Sequence, residues 1–162
     1  MKLTLAYSTH IPVLMKLLSV TNGDVLEMGM GLYSTPFLHW ACMDKRKLVS
    51  YENSPQYHRY FKSYATPLHE MHFVDNWDEA DIERPWDIAF IDHSPEERRK
   101  EDVKRLANHA KYLVVHDTEP AHEEVYHYSE IFPLFKYRYD FENPRSNTSV
   151  LSNTVDLSGF SV

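Results

Sequence analysis

Acidic side chains stand at the ends of several short apolar segments of this sequence. Glu27 and Glu52 close the first two segments, and Asp92 and Asp117, each next to a histidine in the chain, close two later ones. Carboxylates and imidazoles accept protons, bind ligand hydroxyl groups and hold metal ions. Because the carboxyl ends of parallel strands meet at the crevice where open α/β sheets bind ligands, this placement predicts one shared polar site.

The segment around the first of these acids, DVLEMGMGLYSTPF, also carries two of the four glycines of the chain, Gly29 and Gly31. Glycine at a strand end lets the backbone turn sharply and lets a ligand approach closely. Glu27 can face the ammonium group of a ligand or organise the loop. Glu52 follows roughly 20 residues after the glycines, the spacing at which a carboxylate accepts the hydroxyl protons of a ribose.

The elements that must position these residues alternate between strand-like and helical segments, the pattern of a mostly parallel sheet with helices on both faces. We predict strands at residues 24–28, 47–52, 71–75, 86–92 and 111–117, and helices at residues 36–44, 55–65, 95–110 and, less regularly, 77–83.

Hydroxyl residues before prolines mark three of the predicted helix starts. Ser34 or Thr35, Ser54 and Ser94 each stand at the start of a helix whose first position is proline. A hydroxyl at this position caps the free N–H groups of the first turn, so we expect these side chains to be caps.

The last part of the chain predicts an antiparallel hairpin. Residues 132–142 and 148–154 are strand-like, and the five residues between them leave no room for a crossover helix. The chain is therefore expected to form one domain over residues 1–162, with an N-terminal helix region at residues 1–23 and a core at residues 24–155. Its fold class is a three-layer α/β sandwich built on a seven-stranded, mostly parallel sheet.

The run Glu27–Met28–Gly29–Met30–Gly31, with Ser34 and Thr35 after it, resembles the first motif of class I S-adenosylmethionine-dependent methyltransferases, and Glu52 resembles their ribose-binding acid. The resemblance implies a Rossmann-like methyltransferase fold with strand order 3-2-1-4-5-7-6. It implies S-adenosylmethionine as cofactor, with Asp75 or Asn76 at the adenine amine and Trp77 over the ring. The implied cofactor-binding residues are Glu27, Gly29, Gly31, Ser34, Thr35, Glu52, Asn53, Asp75, Asn76, Trp77 and Asp92.

Two further segments, IDHS and VVHDTE, resemble the small-molecule O-methyltransferases related to catechol O-methyltransferases. In that group three ligands hold a magnesium ion, and Asp92 and Asp117 match two of them. The third position is Thr118 instead of an amide. Histidines in the same region, namely His93, His116 and His122, are an alternative donor set for a transition metal.

The predicted chemistry is methyl transfer to an oxygen or nitrogen of a small molecule, in which alignment of the two reactants supplies most of the rate. The acceptor must also lose a proton, and Asp92, His93 or Asp117 can take it as the catalytic base. Asp92 and Asp117 end neighbouring strands, so we expect the pair to share a proton or to recruit a cation.

The amino-acid composition limits the classes of partner that the chain is expected to bind. The net charge of −7 disfavours nucleic acid and anionic membrane surfaces, and no apolar run is long enough to cross a bilayer. The single cysteine, Cys42, fits a cytoplasmic location. A small-molecule substrate is expected, and the sequence is compatible with a homo-oligomer.

Two other functions remain open from the sequence. The chain can be a cofactor-binding module without activity of its own or a subunit that needs a partner, because little sequence is available outside the core for substrate recognition. A nicotinamide-dependent enzyme is the third hypothesis, but Ser34 stands where that motif requires a further glycine.

Overall fold

The computed structural model describes residues 4–162 and shows one seven-stranded sheet with helices around it. The first three residues of the predicted N-terminal helix region lie outside this range. The strands are β1 (Val25–Met28), β2 (Leu48–Glu52), β3 (His69–Phe73), β4 (Trp86–Ile91), β5 (Ala110–His116), β6 (Tyr137–Phe141) and β7 (Thr148–Ser152). The α-helices are α1 (Ile11–Val20), α2 (Ser34–Cys42), α3 (Pro55–Phe61), α4 (Arg99–Leu106) and α5 (Glu123–Tyr126).

The sheet has the order β3-β2-β1-β4-β5-β7-β6, which confirms the predicted topology. The first five strands in this order are parallel, and β7 is antiparallel to both β5 and β6. The chain runs outward from β1 to β2 and β3, then crosses back to place β4 on the other side of β1. A crevice therefore opens beyond the carboxyl ends of β1 and β4, which is the ligand position in sheets of this kind.

Two apolar layers cover the faces of the sheet. Every residue of β1 and β2 is buried, as expected for central parallel strands covered on both faces. On one face, α1 packs Val13, Leu14 and Leu17 into the layer. Strand β6 alternates between half-buried and exposed residues because it is the edge strand. The rigid central strands fix the positions of the polar residues at their ends.

Ser54 is the N-cap residue of α3 as predicted, but none of the predicted hydroxyls forms a cap hydrogen bond with the described chain. Helix α2 begins at Ser34, so Ser34 and Thr35 lie inside it, and α3 begins after Ser54 without a side-chain cap bond from the described chain. Helix α4 begins only at Arg99, after a 3₁₀ turn at Glu96–Arg98. The hydroxyl of Thr35 bonds the buried Glu27 instead, and the backbone N–H of Ser54 donates to Glu52. The hydroxyl of Thr35 is therefore engaged by a buried carboxylate instead of by the first turn of α2.

Other boundaries also differ from the prediction. Strand β3 begins at His69 and ends at Phe73, and the short helix after it is a 3₁₀ turn at Trp77–Glu79. Strand β6 begins at Tyr137, because two 3₁₀ turns, Tyr128–Glu130 and Phe132–Leu134, occupy the preceding residues. Pro133 in the second turn has no N–H to donate to a sheet ladder. Among residues 4–162, no helix is both long enough and apolar enough to cross a membrane.

Candidate functional site

A cavity of about 330 Å³ lies at the carboxyl ends of the central strands. Its walls come from the loops after β1, β2, β4 and β5, from the start of α4 and from the segment before α1. Cavities of this size accommodate small ligands. The lining brings together eight residues predicted from the sequence, namely Gly29, Gly31, Ser34, Glu52, Asn53, Asp92, His93 and Asp117.

Gly29 forms the turn at the end of β1. Its backbone has a φ of 93°, and its N–H donates to the carbonyl of Tyr51 at 3.0 Å. A Cβ at this position would lie 2.6 Å from the backbone oxygen of Asp92. The glycine is therefore required by the close approach of the β1 and β4 backbones as well as by the conformation of the turn.

Glu52 joins the loops after β1 and β2. One of its carboxylate oxygens accepts the N–H of Met30 and the other accepts the N–H of Ser54, both at 2.7 Å. Burial raises the pKa of Glu52, and these backbone N–H groups oppose the rise. The neighbouring Asn53 donates from Nδ2 to the carbonyl of Ser94, which ties this wall of the cavity to the loop after β4.

Glu27 is fully buried and does not line the cavity. It accepts hydrogen bonds from the hydroxyls of Thr35 at 2.9 Å and Ser50 at 2.6 Å, and Thr35 in turn accepts the N–H of Gly31. Glu27 thus organises the glycine loop, which was one of its two predicted roles. Its burial excludes the other, direct contact with a ligand ammonium group. Burial raises its pKa to about 7, against the opposing hydrogen bonds of Ser50, Ser34 and Thr35.

A chain of hydrogen bonds continues from Glu27 through β2 and β3 to helix α2. Ser50 Oγ lies 2.9 Å from His69 Nε2, and His69 Nδ1 lies 3.0 Å from Nδ1 of His39 on α2. Since Ser50 donates its proton to Glu27, it accepts from the Nε2–H of His69, and the bare His69 Nδ1 accepts from His39. Burial lowers the pKa of His69 to about 4, with a further contribution from His39.

The three residues predicted to contact adenine lie outside the cavity. Trp77 is buried in the core, where its indole N–H donates to the carbonyl of Ser94 at 2.9 Å. Asn76 caps the 3₁₀ turn by accepting the N–H of Asp78, and Asp75 is exposed to solvent. Stacking of Trp77 on a ligand ring does not fit this placement, because the ring is already enclosed by apolar neighbours.

Asp92 and Asp117 both form ion pairs with the side chain of Arg99. Arg99, almost fully buried at the start of α4, contacts Asp92 Oδ1 at 3.0 Å and Asp117 Oδ2 at 3.2 Å. Burial opposes ionisation of Asp92, but the charges of His116 and Arg99 outweigh it and hold its pKa below the usual range. Asp117 has a left-handed backbone with a φ of 58°, a conformation that Asp tolerates better than most residues. Its Oδ1 accepts the hydroxyl of Ser146 at 2.7 Å.

Two histidines complete this end of the cavity. His116 Nδ1 lies 3.3 Å from Asp92 Oδ1 and 3.4 Å from Asp117 Oδ1, and its Nε2 lies 2.9 Å from the hydroxyl of Thr9. His10 packs its ring edge-on against His116, with the ring centroids 4.8 Å apart. Burial lowers the pKa of His116, but Asp92 and Asp117 outweigh this effect and raise it. Burial and the neighbouring His116 lower the pKa of His10 to about 3.

The other predicted histidines play different parts. His93 borders the cavity, but its ring is buried, with Nε2 2.8 Å from Asp102 Oδ2 and its edge against Trp77. This orientation does not suit a proton acceptor for a ligand in the cavity. His122 is about half exposed beside Glu119 and does not line the cavity.

Magnesium, implied by the resemblance to catechol-type enzymes, does not fit the residues present. This ion requires near-octahedral oxygen ligands. The carboxylates of Asp92 and Asp117 are both bonded to Arg99, and the hydroxyl of Thr118 is hydrogen-bonded to Ser149 Oγ at 2.8 Å. Two imidazoles occupy the remaining space, and magnesium binds imidazole poorly.

Three residues at the site, His10, Thr9 and Arg99, were not predicted as site residues from the sequence. The first two lie in the segment before β1, and nothing in the sequence shows that this segment returns to the end of β5. Arg99 lies in the predicted helix at residues 95–110, among many other charged residues. A signal for it exists, since Arg99 and Asp102 share the helical spacing of the buried Val103 and Leu106.

No family model matches the sequence, and neither does any curated protein sequence. Solved structures share the fold. The O-methyltransferase TomG from Streptomyces achromogenes, in complex with SAM, has a TM-score of 0.63 and 17% identity, over 91% of this chain and 87% of that one. An O-methyltransferase from Bacillus cereus, in complex with SAH, has a TM-score of 0.64 and 12% identity, over 93% of this chain and 83% of that one.

The N-terminal domain of human METTL16, in complex with SAH, has a TM-score of 0.64 and 11% identity, over 96% of this chain and 73% of that one. Together with the strand order, these matches confirm the predicted class I methyltransferase fold.

Proposed function

We propose that this protein transfers a methyl group from S-adenosylmethionine to an oxygen or nitrogen atom of a small molecule. The observation that carries the proposal is the cavity at the carboxyl ends of β1, β2 and β4, bounded by the Gly29 loop and the buried Glu52. TomG and the Bacillus cereus protein, which share this fold, were solved with SAM and SAH respectively.

Glu52 is the proposed ribose-binding residue. Each of its carboxylate oxygens accepts one backbone N–H, and an ionised carboxylate has about four lone-pair sites, so acceptor capacity remains for two ribose hydroxyls. The backbone of Gly29 and Gly31 and the side chains of Ser34 and Asn53 form the adjoining wall. A ligand here would lie against backbone instead of bulky side chains.

Asp92 and Asp117 are the proposed catalytic groups. S-adenosylmethionine, when bound, supplies an electrophilic methyl group, and the cavity walls hold the acceptor in line with it. An oxygen or nitrogen acceptor that carries a proton must release it, and these two carboxylates at the cavity wall are placed to receive it. Arg99 holds both carboxylates in position.

A small uncharged or cationic acceptor fits the acidic character of the chain. The net charge of −7 and the two aspartates in the cavity disfavour a nucleic acid substrate. We place the reaction in the cytoplasm, since the single cysteine, Cys42, is free and buried.

Calorimetry with S-adenosylhomocysteine tests the cofactor assignment. Replacing Glu52 with Ala should weaken binding by about 1–3 kcal/mol, the cost of leaving hydrogen-bonding partners unsatisfied. Glu142→Ala is the matched control, because Glu142 is exposed and does not line the cavity. An S-adenosylhomocysteine analogue without ribose hydroxyls should bind wild type and Glu52→Ala equally. Equal binding of S-adenosylhomocysteine itself to both folded proteins would refute the ribose assignment.

A methyl-transfer screen separates the enzyme from a binding module. The proposed catalysis is supported if the wild-type protein methylates small hydroxyl or amine acceptors and the Asp92→Asn and Asp117→Asn variants do not. Both variants must still bind S-adenosylhomocysteine. Binding without turnover of any acceptor supports a cofactor-binding module or a subunit that requires a partner.

A further inference from the structure

We propose that His10, Asp92 and His116 form a binding site for a divalent transition metal ion with the preferences of zinc. One potential ligand atom from each residue lies within 4.8 Å of those of the other two. Two imidazoles and one carboxylate are a donor set found with zinc and with other first-row transition metals. The proposal does not depend on methyl transfer, since the site is built from residues that the cofactor assignment does not use, apart from Asp92.

The hydrogen bonds of Thr9 favour a proton on Nε2 of His116. When the Thr9 hydroxyl donates to the carbonyl of Ala6 at 3.2 Å, its oxygen accepts from His116 Nε2–H, 2.9 Å away. His116 Nδ1 is then the atom that faces the oxygens of Asp92 and Asp117. A bare nitrogen lone pair beside two carboxylates requires a cation between them, which is either a proton on Nδ1 or a metal ion.

The distances from His116 Nδ1 to the two carboxylates are compatible with a metal ion. Charge-assisted N–H···O bonds are about 2.7–2.9 Å long, whereas His116 Nδ1 lies 3.3 Å from Asp92 Oδ1 and 3.4 Å from Asp117 Oδ1. Two ligands bound tetrahedrally to zinc at about 2.0–2.1 Å lie roughly 3.3 Å apart. Thr9 would then be the outer partner that metal-bound histidines usually have, fixing their tautomer and orientation.

His10 supplies an independent observation. It is 1% exposed, and neither of its ring nitrogens has a hydrogen-bond partner within residues 4–162. A buried polar atom without a hydrogen-bond partner destabilises the folded state. Coordination of a metal ion would satisfy one of the two nitrogens and would account for an imidazole held between Phe90 and His116.

The surrounding charges also suit a dication. With neutral histidines, Asp92, Asp117 and Arg99 sum to −1, so a divalent ion meets net negative charge. Arg99 would remain on Asp92 and orient the ligating carboxylate. His10, Asp92 and His116 all line the cavity, so the remaining coordination positions of the ion would face the acceptor substrate.

Calorimetric titration of the chelator-treated protein, purified without a polyhistidine tag, tests the site with zinc, cobalt and magnesium chlorides. We expect one zinc or cobalt ion per chain, the visible absorption of low-coordinate cobalt, and no magnesium binding. His10→Ala and His116→Ala should weaken zinc binding by roughly 100-fold or more, and Thr9→Val, which removes an outer partner, by roughly 10-fold. His122→Ala is the matched control, because that histidine is exposed and outside the cluster.

If the wild-type protein binds zinc and cobalt no more tightly than His10→Ala does, the proposal is overturned. The cation at His116 Nδ1 is then a proton. If His116→Ala does not fold, the folded His10→Ala and Thr9→Val proteins decide the question. Because the titration contains no S-adenosylhomocysteine, a negative result leaves the proposed methyl transfer untouched.

Discussion

At Gly29 the backbone conformation and the surrounding space both require glycine. The φ of 93° is one that L side chains rarely adopt, and a Cβ would meet the backbone of the loop after β4 at 2.6 Å. Gly31 is less constrained, because its Cβ would approach only the flexible side-chain oxygen of Ser34 at 2.9 Å. The two glycine positions of one sequence motif are therefore constrained for different physical reasons.

Replacing Gly29 with Ala should cost about 2–3 kcal/mol in unfolding free energy, since the backbone strain and the contact with a fixed strand add together. Gly31→Ala should cost less, and Gly159→Ala, with no heavy atom of residues 4–162 near its Cβ, should be nearly neutral. Denaturant unfolding monitored by circular dichroism measures the series. Equal losses at Gly29 and Gly159 would contradict the argument.

Among the elements, α4 is anchored by charge as well as by apolar packing. Asp102 is fully buried and accepts hydrogen bonds from His93, Arg98 and Arg105 at 2.8–3.0 Å. Arg105 also donates to the carbonyls of Trp77 and Ala80. This one carboxylate therefore ties α4 to the end of β4 and to the connection that precedes β4.

Asp102→Ala should destabilise the fold by about 3–5 kcal/mol, because it leaves buried donors and positive charge without a partner. Glu101, its exposed neighbour on the same helix, forms a surface pair with Lys104. Glu101→Ala should change stability by less than about 0.5 kcal/mol. Chemical denaturation of both variants gives the comparison, and similar small losses would show that Asp102 is dispensable.

The elements also show why prediction from the sequence succeeded in part. The buried strands could be located because β1, β2, β4 and β5 are mostly apolar segments with an acid at or near their carboxyl ends. The start of α3 at Pro55 was also predicted correctly, but the hydroxyl caps were not, because the hydroxyl of Thr35 bonds Glu27, a tertiary contact that the local pattern does not contain. Likewise, Thr9 and His116 are 107 residues apart, and their contact depends on how α1 packs on the finished sheet.

Across the whole molecule, stability should depend on pH through Glu27. Its folded pKa is about 7, above the ordinary value of 4.5. Between these values the folded state keeps a proton that the unfolded state has lost, so this group makes stability fall as pH rises from about 4.5 to 7. The change amounts to on the order of 3 kcal/mol. His10 and His69, with lowered pKa values, act in the opposite direction at acid pH.

A Glu27→Gln variant isolates the contribution of Glu27, since the amide is neutral at every pH. Relative to wild type, its unfolding free energy should rise by on the order of 3 kcal/mol between pH 5 and pH 7.5. Urea unfolding at several pH values measures the difference. Parallel curves for the two proteins would show that Glu27 does not titrate in this range.

The hydrogen-bonded chain from Glu27 through Ser50 and His69 to His39 has a kinetic consequence. A proton arriving at His39 Nε2 can move inward by successive transfers: His39 passes its Nδ1 proton to His69, His69 passes its Nε2 proton to Ser50, and Ser50 passes its hydroxyl proton to Glu27. The intermediate groups end with as many protons as they began with, and each hydrogen bond reverses its direction. The buried acid under the glycine loop can therefore exchange its proton with solvent while the sheet stays closed.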